Sequence, residues 1–354
     1  MNLMLKNSAI LTGASKYSGI GSFILNLNKT HLFERLIYIN FDERNNNWSI
    51  PYKLSISPFK KWYINTRLSL YMGNLFLKDL SRFNFVFLSD QSIFFISKYF
   101  NKSSGILHDF FPLYNGFECK EYRKWVELNL KYMQKMMAVI VPSDYIKKIA
   151  EERFPDIQFK RIHHFVSDDF RERDRIEARR MLGLDENKII LLNVSTKDIR
   201  KNNELLTRLM NRLDDDYTLL KIGSAEAIIK NLKDKRKLIE VKNVPYDIYP
   251  LYFNASDLLI FPSLDEGFGL PVIEAIKSRL PVIASDIPVI REVTWNRVHL
   301  VDPLDEEKWV DSILRYSKRE NKVPGDLEPL VKYYSIERGK NEYELFLREI
   351  LNYG

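Results

Sequence analysis

One cysteine, Cys119, stands among 354 residues, so no internal disulfide can form. With no partner thiol and only five histidines, a zinc site is not expected either, and Cys119 reads as a small buried or half-buried side chain. Long apolar runs are also missing. No stretch approaches the ~20 residues a helix needs to cross a bilayer. The opening Met1-Asn2-Leu3-Met4-Leu5-Lys6-Asn7 is broken by polar residues too early for a secretory segment. The expectation is a soluble, cytoplasmic protein. No short repeat and no low-complexity tract occurs, and 45% hydrophobic against 29% charged residues leaves enough apolar surface to fold throughout. The length exceeds one ordinary core and fits two α/β domains with a cleft between them.

The net charge of +7 is unevenly placed: residues 1–170 hold 23 Lys and Arg against 15 Asp and Glu, and residues 171–354 hold 31 against 32. A basic first half suits an anionic acceptor, an acidic membrane surface or nucleic acid, and equally a solubilising field.

Short runs rich in β-branched and aromatic residues alternate with amphipathic stretches, the pattern of parallel strands joined by helices. In the first half the strands fall near 9–11, 36–39, 85–88, 105–107 and 138–141, with helices near 67–81, 120–135 and 144–153. A charged segment at 167–180 interrupts the pattern and marks a domain boundary. The second half repeats it, with strands near 189–194, 218–222, 258–261, 282–284 and 299–301 and helices near 203–213, 246–255, 272–277 and 306–316. Residues 336–351 carry Tyr343, Leu345, Phe346 and Ile350 at helical spacing, so that helix should pack on something. The fold class is doubly wound α/β.

The richest segment reads Phe261-Pro262-Ser263-Leu264-Asp265-Glu266-Gly267-Phe268-Gly269-Leu270-Pro271-Val272-Ile273-Glu274-Ala275. It is a strand, a loop with two glycines and a helix opening at about Pro271, where a missing N–H costs little. Unpaired N–H groups and the dipole at such a helix start favour anions or sugar oxygens. Glu266 and Glu274, eight positions apart, can face one cleft as acceptors for sugar and ribose hydroxyls. The plain alternative is a strand–loop–helix connection with a Glu near a helix N-terminus, and spacing alone leaves the two about even.

This segment, together with Pro281-Val282-Ile283-Ala284-Ser285-Asp286, closely resembles the signature of family-four retaining glycosyltransferases, the glycosyl transferases group 1. The resemblance implies a GT-B fold, two Rossmann-like domains with parallel sheets facing across a cleft. It implies that Glu266 contacts the donor sugar, that Glu274 binds the nucleotide ribose, and that backbone around Phe268, Gly269 and Leu270 meets the sugar or diphosphate. Val194-Ser195-Thr196-Lys197-Asp198-Ile199-Arg200-Lys201-Asn202-Asn203 is similar to the family's phosphate loop. Lys201 matches its lysine, and Arg200 takes the place of an arginine usual where Thr196 stands; both would offset charge on the departing diphosphate. The plain alternative is a solvated basic turn.

In the first half, Gly105-Ile106-Leu107-His108-Asp109 resembles the family's His-Asp pair, which makes His108 the candidate active-site histidine. A lone strand-end histidine is otherwise more often structural. Asp109 is expected to orient its loop. Thr12-Gly13-Ala14-Ser15-Lys16-Tyr17-Ser18-Gly19-Ile20-Gly21 follows the first strand and precedes a helix, so Gly19 and Gly21 are candidates for admitting phosphate or acceptor oxygens. The turn is also similar to that of short-chain dehydrogenases. The chain's only Tyr-x-x-x-Lys, Tyr217 to Lys221, lies in an expected strand and could not supply that family's helical catalytic pair.

Asp214-Asp215-Asp216 precedes a strand and reads as a solvated turn, so no metal is expected to be required. Departures from the family pattern are Arg279 where a glycine is usual, Trp295-Asn296-Arg297-Val298 without the common glycines, and Ile162-His163-His164-Phe165-Val166 in place of Pro-Asn-Gly-Val. On the acceptor side, basic and aromatic residues mingle from Lys60 to Arg82, a composition that fits peripheral membrane contact or a lipid acceptor, and equally a core-facing helix with a solvated basic face. No nucleic-acid motif accompanies it, and no nucleic acid is expected.

These readings converge on a retaining hexosyltransferase of glycan biosynthesis. It would take a UDP- or GDP-linked sugar as donor, need no cofactor, and act on a glycan, lipid-linked or protein-linked acceptor. Residues 1–167 with 335–354 would bind acceptor and residues 168–334 the nucleotide sugar. The alternatives are a GT-B phosphorylase or epimerase and a non-catalytic nucleotide-sugar-binding protein.

Overall fold

Strands β1 (Leu5–Thr12), β2 (Phe33–Tyr38), β3 (Phe85–Leu88), β4 (Ser103–Ile106), β5 (Val139–Val141) and β6 (Phe159–Arg161) form one sheet in the order β2-β1-β3-β4-β5-β6. Every pairing is parallel. The computed structural model describes residues 5–12, 14, 18–38, 83–113, 120–317 and 325–352. The expected helix at 67–81, the basic–aromatic stretch from Lys60 to Arg82, Gly13 and Cys119 lie outside the described residues.

The chain divides into two units, one of residues 1–142, 146–162 and 340–354, the other of residues 143–145 and 163–339. In the first, β3 and β5 are apolar and buried throughout, and β1 is buried from Ser8 to Thr12, as expected of inner parallel strands. Tyr343 of the helix Ile336–Leu351 packs on Phe23 and Phe87, with ring centroids 6.4 and 5.9 Å away. That contact accounts for the helical spacing of the C-terminal apolar residues.

The second unit holds β7 (Ile189–Val194), β8 (Tyr217–Ile222), β9 (Leu238–Val241), β10 (Leu258–Phe261), β11 (Val282–Ser285) and β12 (His299–Val301), in the order β12-β11-β10-β7-β8-β9. All of its pairings are parallel. The chain runs outward from β7 in one direction, then returns to β10 and runs outward in the other. The carboxyl ends of β7 and β10 therefore form the switch point at which open α/β sheets bind ligands. Leu205, Leu209, Trp309 and Ile313 fill the core beside β7 and β8.

The charged segment at 167–180 contains the helix Arg175–Leu182, capped by Asp174 and closed by Gly183. Its Arg179 is fully buried, donating to the carbonyls of Ala255 (2.8 Å), Asp185 (3.2 Å), Glu186 (3.0 Å) and Lys188 (2.9 Å), and to Asp257 Oδ2 (2.5 Å). Asp257 Oδ2 also accepts from the β7 amide of Ile190 at 2.8 Å.

Two edge strands, β6 and β9, are absent from the sequence reading. Each is short and carries charge, Lys160 in one and Glu240 in the other, because one side of an edge strand faces solvent. The expected helix over 120–135 is α-helical only over Lys120–Leu130 and tightens to 3₁₀ over Lys131–Lys135. The helix expected at about Pro271 begins one residue earlier, at Leu270.

Candidate active site

The carboxyl ends of β7 and β10 are tied together by hydrogen bonds that cross the switch point. Asn193 Nδ2 donates to the carbonyl of Ile260 at 2.8 Å, and the amide of Leu264 donates to the carbonyl of Arg200 at 2.7 Å. Between the two loops Lys201 Nζ donates to Glu266 Oε1, and Arg200 Nη1 lies 3.8 Å from Glu266 Oε2. The turn Ile199–Lys201 ends at Asn202, whose left-handed backbone (φ 53°) starts the helix Asn203–Arg212 and turns Lys201 inward. Asparagine tolerates that conformation better than most residues.

Glu266 is buried. Burial alone would raise its pKa; the charges of Lys201 and Arg200 and the hydrogen bonds from Lys201 and Ser263 outweigh that, so the carboxyl is held below its ordinary value. The cluster is thus two cations around one carboxylate. Glu274, in the helix Leu270–Lys277, is 2% exposed and has no cation beside it among the described residues, and burial raises its pKa to about 7 against the pull of a 2.8 Å hydrogen bond from the Tyr249 hydroxyl. Two carboxylates eight residues apart therefore differ in charge state near neutrality.

The connecting loop is buried from Glu266 to Leu270. Phe268 packs against the rings of His164 and Tyr334, at 5.0 and 5.8 Å, and Leu270 is buried. Gly269 adopts φ 90°, and a Cβ there would meet Ile290 Cδ1 at 2.7 Å, so only glycine fits. Ser143 Oγ donates to the carbonyl of Gly267 at 2.9 Å and fixes the loop from the side.

Asp144, His163 and Glu292 bring ligating atoms within 4.8 Å of one another. Glu292 there accepts from His163 Nε2 at 2.9 Å and from the amides of Asp144 and Tyr145 at 2.7 and 3.1 Å, while His163 Nδ1 meets the Tyr333 hydroxyl at 3.1 Å. The group is a hydrogen-bonded brace under Phe268.

In the first unit His108 follows β4 and is 6% exposed. Its Nε2 lies 2.7 Å from the carbonyl of Ser89, so this nitrogen carries the proton. Burial lowers the imidazole pKa against that hydrogen bond and the charges of Asp90 and Asp109, which keeps the ring neutral at pH 7. Asp109 Oδ1 accepts from the amide of Phe111 at 3.2 Å and shapes the loop. Gly19 and Gly21 open the helix Gly19–Asn28 at the same sheet edge. The Gly21 amide already donates to the Ser18 hydroxyl at 3.0 Å.

Three participants escape a sequence reading. Tyr249 lies 25 residues from Glu274, and Ser263 resembles any loop serine. Lys221 had a signal, a cation inside the apolar strand Tyr217–Ile222. Its side chain reaches the end of β7.

Two solved structures share this architecture. A sucrose-phosphate synthase of Thermosynechococcus elongatus superposes with a TM-score of 0.72 at 15% identity, over 98% of this chain and 100% of that one. HepE of Anabaena, solved with UDP and glucose, gives 0.74 at 13%, over 97% and 99%. The fold is the GT-B class of α/β protein, with two Rossmann-like parallel sheets. Residues 174–327 match the model of the family described as glycosyl transferases group 1. The O-antigen chain mannosyltransferase RfbU of Salmonella typhimurium is 38% identical over 98 residues, 28% of this chain and 27% of that protein. The match thus spans about a quarter of that relative's length. No helix among the described residues is long and apolar enough to cross a membrane.

Proposed function

We propose that the chain is a retaining glycosyltransferase that moves a hexosyl group from a UDP- or GDP-linked sugar to a hydroxyl of a glycan, lipid-linked or protein-linked acceptor. Residues 168–334 take the donor, and residues 1–167 with 335–354 take the acceptor. The bond from the anomeric carbon to the diphosphate oxygen breaks, the acceptor oxygen bonds to that carbon on the same face, and the acceptor proton is lost. The observation that carries this reading is the pair Arg200 and Lys201 converging on ionised Glu266 at the switch point, where the sheet edge invites a ligand.

In the free protein Lys201 is engaged by Glu266. An incoming diphosphate supplies a stronger anion, so Lys201 and Arg200 turn to it and stabilise its charge as it departs. Glu266 is thereby released to accept from sugar hydroxyls, and Glu274 accepts from the ribose. His108, neutral, is assigned to the reacting sugar, and Gly19 and Gly21 to the acceptor side. No metal is required in this scheme, because two guanidinium and ammonium groups do the work of a divalent cation. The protein acts in the cytoplasm, with peripheral contact at a membrane surface.

RfbU is a mannosyltransferase and HepE was solved with UDP and glucose, so a calorimetric panel of GDP-mannose, UDP-glucose and ADP-glucose without added metal is the direct test. One of them should bind, and Glu266→Ala should cut turnover by ~100-fold or more while leaving the fold intact. Full activity in Glu266→Ala refutes the assignment.

A further inference from the structure

Lys221 points from β8 into the space beneath the turn of residues 194–203 and is 0% exposed. In the parallel register it sits opposite Asn193. Its ammonium donates to Asn193 Oδ1 at 2.9 Å, to the carbonyl of Ser195 at 2.6 Å and to Ser195 Oγ at 2.5 Å. An ammonium has three donors, and these three oxygens match them; none belongs to a carboxylate. Ser195 Oγ in turn donates to Asn193 Oδ1 at 2.8 Å, and Asn193 reaches β10. The backbone leaves no slack above: Gly223, at φ 112°, approaches the Ser195 carbonyl so closely that a Cβ there would collide with it. One buried cation thus fastens the start of the turn that carries Arg200 and Lys201 to the strands on both sides.

We propose that Lys221 is a positioning residue of the donor site: its buried ammonium holds the turn in the shape that presents Arg200 and Lys201, and its charge adds to the attraction for the donor diphosphate. The inference rests on the donor-site reading above. The charged groups that face Lys221 are Lys201 from the turn and Glu240 from β9. Burial first, then Lys201, lowers the ammonium pKa to about 7, and Glu240 opposes them. A diphosphate that neutralises Lys201 removes its repulsion, so donor binding favours the charged form of Lys221. By linkage, protonation of Lys221 then favours the donor, and this share of the affinity is present below pH 7 and fades as pH rises through the bound-state value.

The test is calorimetric affinity for GDP-mannose and UDP-glucose at pH 6, 7.5 and 9, expressed as the ratio of variant to wild type so that titration of Glu274 cancels. The diphosphate of a nucleotide sugar is fully ionised throughout this range, and loss of the ring proton of uracil or guanine near pH 9 cancels in the same ratio. Lys221→Met should bind about tenfold more weakly at pH 6, with the gap narrowing by pH 9. Glu240→Gln keeps the acceptor that serves the Ala225 amide and should weaken binding at pH 7.5 but not at pH 6. A gap within twofold at pH 6, or one constant across pH, overturns the proposal. If Lys221→Met does not fold, Glu240→Gln decides alone, and wild-type affinity at pH 7.5 overturns it. A folded wild type that binds neither donor refutes the donor-site reading and takes this inference with it. Donor binding that is lost in Lys201→Ala but indifferent to Lys221 and Glu240 refutes only the inference.

Discussion

Replacing Glu274 by glutamine should make the protein more stable at pH 8 and leave its stability near pH 4.5 little changed. The side chain is 2% exposed, its one charge-favouring contact is the Tyr249 hydroxyl, and its pKa is raised from 4.5 to about 7. A group with a raised folded-state pKa binds its proton more tightly folded than unfolded. Its contribution is therefore fully present below pH 4.5 and is lost as pH rises through 7. At ~1.4 kcal/mol for each tenfold in proton affinity, the displacement from 4.5 to about 7 corresponds to about 3 kcal/mol lost by pH 8. Glutamine has no proton to lose and keeps an acceptor for Tyr249, so it escapes that loss. Urea unfolding of wild type and Glu274→Gln at pH 4.5, 6 and 8 measures it directly. The expected stability difference grows with pH in favour of glutamine, toward ~3 kcal/mol at pH 8. A difference that does not vary with pH refutes the argument that Glu274 is an uncompensated buried carboxyl. On the proposed ribose role the same variant should bind the donor more weakly, because a carboxamide whose one carbonyl is held by Tyr249 has no acceptor left for the ribose, so stability and binding should move in opposite directions.

Lys201→Ala should weaken binding of UDP or GDP by ~10-fold or more and flatten its salt dependence, read by titration at two ionic strengths; unchanged affinity would remove the diphosphate role. Arg179→Ala leaves Asp257 paired with Arg175 and the Ile190 amide but removes the donor shared by four carbonyls, and should destabilise the second unit by ~2–4 kcal/mol in denaturant unfolding, whereas a loss under ~1 kcal/mol would show that the network relaxes freely. Arg279 adopts φ 60° and pairs with exposed Glu328. Arg279→Gly should stay within ~1 kcal/mol of wild type and Arg279→Val should lose ~2 kcal/mol, and equal tolerance of both would refute backbone strain at that position.

Interior strands were legible because burial on both faces writes itself as an uninterrupted apolar run: Phe85–Leu88, Ile189–Val194 and Leu258–Phe261 were delimited from sequence to the residue, as was the edge strand His299–Val301. Edge strands β6 and β9 were not, since each is short and broken by charge, Lys160 and Arg161 in one and Glu240 in the other. The Glu266 and Glu274 pair was legible because loop and helix stand next to each other in the chain. Their opposite environments were not, because Lys201 and Tyr249 arrive from distant elements. The segment 167–180 looked like a charged interruption, yet its Arg179 is among the most buried side chains in the unit; composition counts an arginine as solvated until five acceptors are found for it.

The departures from the family's glycine pattern show what such a pattern encodes. Arg279 (φ 60°), Trp295 (φ 51°) and Asn296 (φ 55°) all occupy the left-handed region that glycine enters without strain. The backbone bend is retained although the residue that makes it easy is gone. Two of the three carry a side-chain contact: Arg279 reaches Glu328, and Trp295 closes the helix Pro288–Thr294 while packing on Tyr333 at 5.2 Å. A motif position filled by an unexpected side chain is therefore not evidence that the local geometry has drifted. At Thr196 the case differs, because there the family's arginine supplies charge rather than a bend, and charge can be delivered from elsewhere. Arg200, four residues on, lies 3.8 Å from Glu266, where on the proposed reading it delivers that charge. Backbone requirements must be met in place, whereas electrostatic ones can migrate along a loop, and the second kind of departure is the one that redistributes function.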